Sequence, residues 1–135
     1  MSQVSEEVAK AELERFCEAM DLDLDTSRLN EEAINNLEDA KHQFVRAVMN
    51  GSLVVEDDGV PVFTPRKMKD AQPIRFPEPT GAVKMEIDRI SGRYKAVTKT
   101  YALMEALTGQ SKGFFSKMLN RDLKVCEAIT NLFLG

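Results

Sequence analysis

The chain has 135 residues, a length that suits one domain, with or without an extension. Apolar residues make up 43% of it and charged residues 30%, which is typical of a globular protein and excludes an intrinsically disordered one. No apolar run approaches the ~18 residues of a membrane-spanning helix, and the start MSQVSEEVAKAEL lacks the basic residues and apolar core of a signal peptide. We therefore expect a cytoplasmic protein that does not enter a membrane.

The charge is distributed unevenly along the chain. Residues 1–50 carry 12 acidic and 5 basic residues, a net charge of −7, whereas residues 51–135 carry 10 acidic and 13 basic residues, a net charge of +3. The simplest interpretation is a set of solvated helix faces. The alternatives are two surfaces with different partners, or subunits that attract each other head to tail.

Two amphipathic helices are predicted for the acidic part of the chain. Ser5 is placed to cap the first helix and Asn30 the second, and Asn50-Gly51 is a stop signal for the second. Apolar residues recur every three or four positions on one face of each helix: Ala9, Leu13, Phe16, Cys17, Met20 and Leu24 in the first, and Ile34, Leu37, Phe44, Val45 and Val48 in the second. The short polar link between them predicts an antiparallel helical hairpin over residues 1–50.

After residue 50 the apolar period changes to two, which predicts a β-hairpin in the stretch SLVVEDDGVPVFT. A two-residue loop would pair Val55 with Val62, and a three-residue loop with a bulge would pair Val55 with Pro61. The sequence leaves this register open. Proline has no N–H group, so we expect the strand to lie at a sheet edge at Pro61.

The connector that completes residues 51–79 is rich in proline. Four prolines between Pro65 and Pro79 predict extended chain, with room for a short strand at Ile74–Phe76.

Residues 80–135 are predicted to be helical. Thr80 is placed to cap a third helix with the apolar positions Val83, Ile87 and Ile90, and Ser91-Gly92 either breaks this helix or loosens it. An apolar stripe continues through Tyr94, Val97, Tyr101, Met104 and Leu107. A short helix, SKGFFSKMLN, and a final helix, RDLKVCEAITNLFL, complete the chain. The predicted fold class is mainly α with a small β-hairpin (α+β), as one compact domain with residues 1–50 as an N-terminal extension.

The final helix has an apolar face that needs a partner. Ile129, Leu132 and Phe133 share this face with Val125 and Cys126, and we expect it to pack against Phe114, Phe115 and Met118. Leu134 points about 100° away from the face, so we expect it at a contact with another subunit or a partner protein. The residues predicted to contact a partner are Phe114, Phe115, Met118 and Leu134. The alternative is that the whole apolar end awaits a partner.

The residue types that carry catalysis or bind metals form no recognisable pattern. His42 is the single histidine and is expected on a helix flank, while Cys17 and Cys126 share helix faces with apolar residues and are expected to be buried, reduced thiols. The acidic run DLDLDTS lacks the spacing of a calcium loop, and no glycine-rich phosphate loop occurs. We therefore expect no enzymatic activity, no catalytic residues, no metal and no cofactor.

Nucleic-acid binding is the main competing interpretation. Residues 84–124 contain nine basic residues, with Tyr94 and Tyr101 among them: Lys84, Arg89, Arg93, Lys95, Lys99, Lys112, Lys117, Arg121 and Lys124. The stretch TGQSKGFFSKML resembles the turn and second helix of a helix-turn-helix unit. However, the chain has a net charge of −4 and a pI of about 5.1, and no helix carries Arg, Asn and Gln at base-reading positions. The composition therefore disfavours nucleic acid as a partner.

Three stretches within residues 52–135 together resemble one known family: VVEDDGVPVFT, IRFPEPTGAVKMEIDRI and LMEALTGQSKGFFSKMLNRDLKVCEAITNLFLG. A strand pair with an Asp-Gly turn leads to an extended segment and a Pro-Thr helix start. A helix then ends in LTG, a short F-x-x-M helix follows, and a last helix begins at RDL and finishes in FLG. This order resembles the small tail assembly chaperones of long-tailed bacteriophages, in particular those of Mu-like prophages, in which the pattern LTG…L…D…FLG recurs. The acidic hairpin of residues 1–50 departs from that pattern.

The resemblance implies a non-enzymatic function in phage tail assembly. Such chaperones bind the long, helical tape-measure protein before the tail tube polymerises around it, and they are absent from the finished virion. The resemblance thus implies the tape-measure protein and the tail tube protein as partners and the bacterial host cytoplasm as location, with homo-oligomerisation left open. The alternative function is a DNA-binding or regulatory adaptor of mobile-element origin.

Overall fold

The computed structural model describes residues 3–134 and confirms a mainly α fold with a small β element. Its six helices are α1 (Glu6–Ala19), α2 (Glu31–Met49), α3 (Gly81–Asp88), α4 (Lys95–Thr108), α5 (Lys112–Ser116) and α6 (Asn120–Leu134). Three short strands, β1 (Leu53–Val55), β2 (Pro61–Phe63) and β3 (Ile74–Arg75), form one antiparallel sheet in the order β1-β2-β3. Within the described residues, no helix is both long and apolar enough to cross a membrane.

The predicted helix caps are confirmed. The side chains of Ser5, Asn30 and Thr80 each accept a hydrogen bond from the backbone N–H three residues further on, at 3.2, 2.8 and 3.3 Å respectively. Each bond satisfies one of the N–H groups that a helix start leaves without a partner, so these three residues fix where α1, α2 and α3 begin.

The hairpin between β1 and β2 has the register of the three-residue loop. Val55 lies opposite Pro61, with residues 57–59 as the loop. The expectation that Pro61 marks a sheet edge is wrong, because β2 is the central strand. Pro61 is tolerated there as the first residue of its strand, and its carbonyl still accepts a hydrogen bond from the N–H of Phe76 at 3.0 Å.

The tip of the hairpin packs against the end of α1. Gly59 has a φ of +85°, and a Cβ atom at this position would lie 2.2 Å from the Cβ atom of Ala19. The guanidinium group of Arg15 donates hydrogen bonds to the carbonyl oxygens of Val55 and Glu56, the latter at 2.7 Å. Glycine is thus required both for the backbone conformation and for the close approach of α1.

One hydrophobic core joins α1, α2, the sheet and the helices α4 to α6. The rings of Phe16 in α1 and Phe44 in α2 stack with their centroids 5.1 Å apart, and Phe133 in α6 contacts Phe16 edge-on at 5.3 Å. Burying each such ring contributes about 1.5–3 kcal/mol. The N-terminal helical hairpin therefore contributes to this core.

The helical conformation is interrupted at Ser91-Gly92, where Gly92 has a φ of +109°. This interruption separates α3 from α4, so the residues before and after it do not share one continuous helical face. The predicted apolar stripe from Tyr94 to Leu107 is therefore wrong in its first part. Tyr94 and Val97 are exposed to solvent, and the buried face of α4 consists of Thr100, Leu103, Met104 and Leu107. Ile87 of α3 packs against Leu103 and Leu107 in a second, smaller apolar cluster.

The predicted apolar face of α6 is confirmed, but its partner differs from the expected one. Ile129 and Leu132 are fully buried and Phe133 is half-buried. This face packs mainly against α2 and α4, whereas contact with the α5 region includes Cys126 Sγ, 3.8 Å from Met118 Sδ. Gly135, expected as the helix stop, lies outside the described residues.

A buried carboxylate ties the proline-rich connector to the start of α6. Asp122 is 3% exposed, and its two oxygens accept hydrogen bonds from the backbone N–H groups of Arg66 at 3.0 Å and Lys67 at 2.9 Å. Asp122 also lies in the first turn of α6, where a negative charge is favourable. The Asp of the RDL stretch therefore has a structural role.

Candidate functional site: a groove over helix α6

A groove runs along the outer face of α6. Its floor consists of residues spaced three or four apart on that helix: Lys124, Glu127, Ala128, Asn131 and Leu134. Helices α2 and α4 both pack against α6 and rise on either side of this floor. The groove has a volume of about 700 Å³, and we call it the docking groove.

Small side chains make this space. The α2 wall includes Ala33 and Ala40, the α4 wall includes Ala96, and Ala128 lies on the floor. An alanine at a helix–helix boundary leaves a depression that a larger side chain would fill. The floor from Lys124 to Leu134 is about 15 Å long at the α-helical rise. The docking groove therefore matches the length of a helical segment of two to three turns.

Two hydrogen bonds brace the α4 wall against the floor. The hydroxyl group of Thr100 bonds the side-chain oxygen of Asn131 at 2.8 Å, and the hydroxyl group of Tyr101 donates to Glu127 Oε2 at 2.8 Å. Burial, with a contribution from the Glu127 carboxylate, raises the pKa of Tyr101 to about 12. The phenol therefore remains protonated and donating at neutral pH, and the wall is held in place before any partner arrives.

Charges of both signs surround the docking groove. Asp39, Asp88 and Glu127 contribute negative charge, and Lys99 and Lys124 contribute positive charge. The apolar side chains Leu29, Val97 and Leu134 line the same space. A mixed rim around small and apolar surface suits an amphipathic helix, whose apolar stripe is flanked by polar side chains.

The four predicted partner-contact residues do not come together in one site. Phe115 and Met118 are core residues, because the short α5 turn packs inward toward α6. Phe114 is half-buried, with its ring edge-on to Phe115 at 5.2 Å. Leu134 is 40% exposed and lines the docking groove. Phe115 and Met118 are therefore buried in this fold, and contact of any of the four residues with a partner stays a prediction.

The thiols and the histidine lie in surroundings that do not activate them. His42 is exposed, and it lines a shallow cleft of about 480 Å³ between α1 and α2 together with the half-buried Cys17. Burial raises the pKa of Cys17, and burial likewise raises the pKa of Cys126 strongly. A raised pKa lowers the thiolate fraction and with it the nucleophilicity. Within residues 3–134, no three His, Cys, Asp or Glu side chains are grouped so that they could hold a metal ion.

Neither a protein-family model, nor a curated protein, nor a solved structure matches this chain. The resemblance of residues 52–135 to tail assembly chaperones therefore rests on the short motifs quoted above.

Proposed function

We propose that this protein is a non-enzymatic phage tail assembly chaperone that holds a helical segment of the tape-measure protein in the docking groove. It acts in the cytoplasm of the bacterial host, has the tail tube protein as a second partner, and leaves before the virion is complete. The observation that supports the proposal is the docking groove itself, a partly apolar groove about as long as two to three helical turns.

The chemistry of the groove suits a transient complex. A tape-measure protein is long and helical, and it exposes apolar stripes until the tube forms around it. A shallow groove with alanine walls covers one such stripe over a few turns without enclosing it. Hydrogen bonds from Thr100 and Tyr101 preform the channel, so little ordering free energy is lost on binding. Release requires no large rearrangement for the same reason.

The experiment is co-expression with a candidate tape-measure protein, a very long helical protein encoded in the same genome. We expect the tape-measure protein to remain soluble with the wild-type chain and to precipitate with Ala96→Trp, which fills the groove from the α4 side. Ala11→Trp is the matched control, since Ala11 is exposed on α1 and does not line the groove. Circular dichroism confirms that both variants are folded.

Two results contradict the proposal. If Ala96→Trp keeps the tape-measure protein soluble as well as the wild type does, the docking groove is not the client site. If the wild-type chain itself neither binds nor solubilises the tape-measure protein, the chaperone function is wrong. A gene position between those of a tail tube protein and a very long helical protein would agree with the proposal.

A further inference from the structure

The helix break between α3 and α4 exposes a concentration of large apolar side chains. Among the described residues, seven large apolar side chains are exposed, and three of them lie within this short stretch: Met85 (63%), Tyr94 (68%) and Val97 (60%). Every residue from Ser91 to Thr98 is exposed. Scattered exposed apolar side chains are ordinary, but a local concentration indicates an interaction surface.

The same stretch is basic. Residues 84–99, which we call the α3–α4 surface, contain five basic and two acidic residues, a net charge of +3 in a chain whose net charge is −4. Arg89 is the one base of this stretch with an ion pair among the described residues, to Glu86 at 3.2 Å. The remaining four are Lys84, Arg93, Lys95 and Lys99. Among residues 3–134, none of these four cations forms an ion pair with a carboxylate.

An aromatic ring stands among these cations. The guanidinium carbon of Arg93 lies 5.6 Å from the centroid of the Tyr94 ring. This cation–π contact places a positive charge directly beside an exposed ring. Lys95 occupies the first position of α4, where the helix dipole adds to the positive potential. Apolar contact area and positive charge are thus presented together.

We propose that the α3–α4 surface binds an acidic amphipathic helix of a partner protein. The charge of the surface selects carboxylates, and its three exposed apolar side chains select an apolar stripe beside them. The phosphates of a nucleic acid would also pair with the basic side chains, but its polar backbone would offer no apolar surface to Met85 and Val97. The inference does not depend on which protein supplies the helix, and it goes beyond the proposed function in that respect.

The test uses the full-length protein and a fluorescein-labelled peptide of about 20 residues, with Leu on one helical face and Glu elsewhere. We expect saturable binding by fluorescence anisotropy at about 0.05 M salt and roughly tenfold weaker binding at about 0.5 M salt. The same peptide with Lys in place of Glu should not bind. The double variant Arg93→Glu/Lys95→Glu should weaken binding of the acidic peptide roughly fivefold or more.

The matched control is Lys112→Glu/Lys117→Glu, which changes the net charge equally at two other exposed bases and should bind like the wild type. Met85→Ser tests the apolar contribution, and we expect it to weaken binding without affecting the fold, because Met85 is exposed and does not line the docking groove. The proposal is wrong if the Arg93 and Lys95 variant binds as the wild type does. It is also wrong if a single-stranded oligonucleotide of about 20 bases binds more tightly than the peptide.

Discussion

Replacement of Asp122 by Ala should destabilise the protein by about 2–4 kcal/mol. Both oxygens of this buried carboxylate accept backbone hydrogen bonds, from Arg66 at 3.0 Å and Lys67 at 2.9 Å. A hydrogen bond to a charged acceptor contributes about 1.5–3 kcal/mol, so two would give up to about 6. Water reaches the connector once it detaches, because Arg66 and Lys67 are exposed. This re-solvation lowers the expected loss to the stated range.

The assay is urea denaturation followed by circular dichroism, together with hydrogen exchange of the connector. At 135 residues, we expect the midpoint of thermal unfolding to fall by about 10 °C, with faster exchange at the amides of Arg66 and Lys67. The stability of Asp122→Asn should lie between those of Asp122→Ala and wild type, since its single side-chain oxygen still accepts a hydrogen bond from one N–H.

A control separates the hydrogen bonds from the helix dipole. Glu31 lies exposed in the first turn of α2, so Glu31→Gln removes only a first-turn charge and should cost less than about 1 kcal/mol. If Asp122→Ala is within about 1 kcal/mol of the wild type, or costs no more than Glu31→Gln, the carboxylate does not anchor the connector and the reasoning is refuted.

Three further predictions follow from contacts in the fold. Gly59→Ala should lower the free energy of unfolding by about 2–4 kcal/mol in urea denaturation, because it adds a clash with Ala19 to backbone strain. Gly92→Ala is the control, since Gly92 has a similar positive φ but no atom within 4 Å of the added Cβ. Equal losses of stability in the two variants would show that the clash contributes nothing. The pKa of Tyr101 is raised to about 12, from about 10 in the unfolded chain. The difference in unfolding free energy between wild type and Tyr101→Phe should therefore be constant below pH 10 and decline between about pH 10 and 12. A difference that grows over this range would contradict the hydrogen bond to Glu127. A thiol reagent at about pH 8 should label Cys17 slowly and Cys126 only after unfolding, since Cys126 is fully buried; equal native rates would show that the core opens.

Local signals predicted the helix starts and the hairpin, since each depends on residues close in sequence. Ser5, Asn30 and Thr80 cap because their side chains reach a backbone N–H three residues away, whatever the rest of the fold does. The hairpin register could not be obtained this way. Both loops were compatible with Gly59, and the observed one places that glycine directly against Ala19, a contact that the local sequence does not contain.

The docking groove could not be predicted, because a groove depends on side-chain volume that is missing at a tertiary boundary. Ala33, Ala96 and Ala128 appear in the sequence simply as good helix formers. Only the packing of α2 and α4 on either side of α6 places these alanines around one space. The prediction that Tyr94 and Val97 belong to a buried apolar stripe was wrong for a related reason. Continuous periodicity assumes one continuous helix, and the turn at Gly92 restarts the phase.

The central position of α6 also determines when this chain can fold. Helix α6 follows α2 and α4 in the chain, yet it packs between them and provides the surface that both bury. During synthesis, the apolar faces of α2 and α4, which include Phe44 and Met104, are therefore not fully covered until α6 has left the ribosome. Closing the long segment between α2 and α6 costs chain entropy before any contact is gained. Folding of the core should thus follow translation of α6 and be slower than in a helical protein built from local contacts.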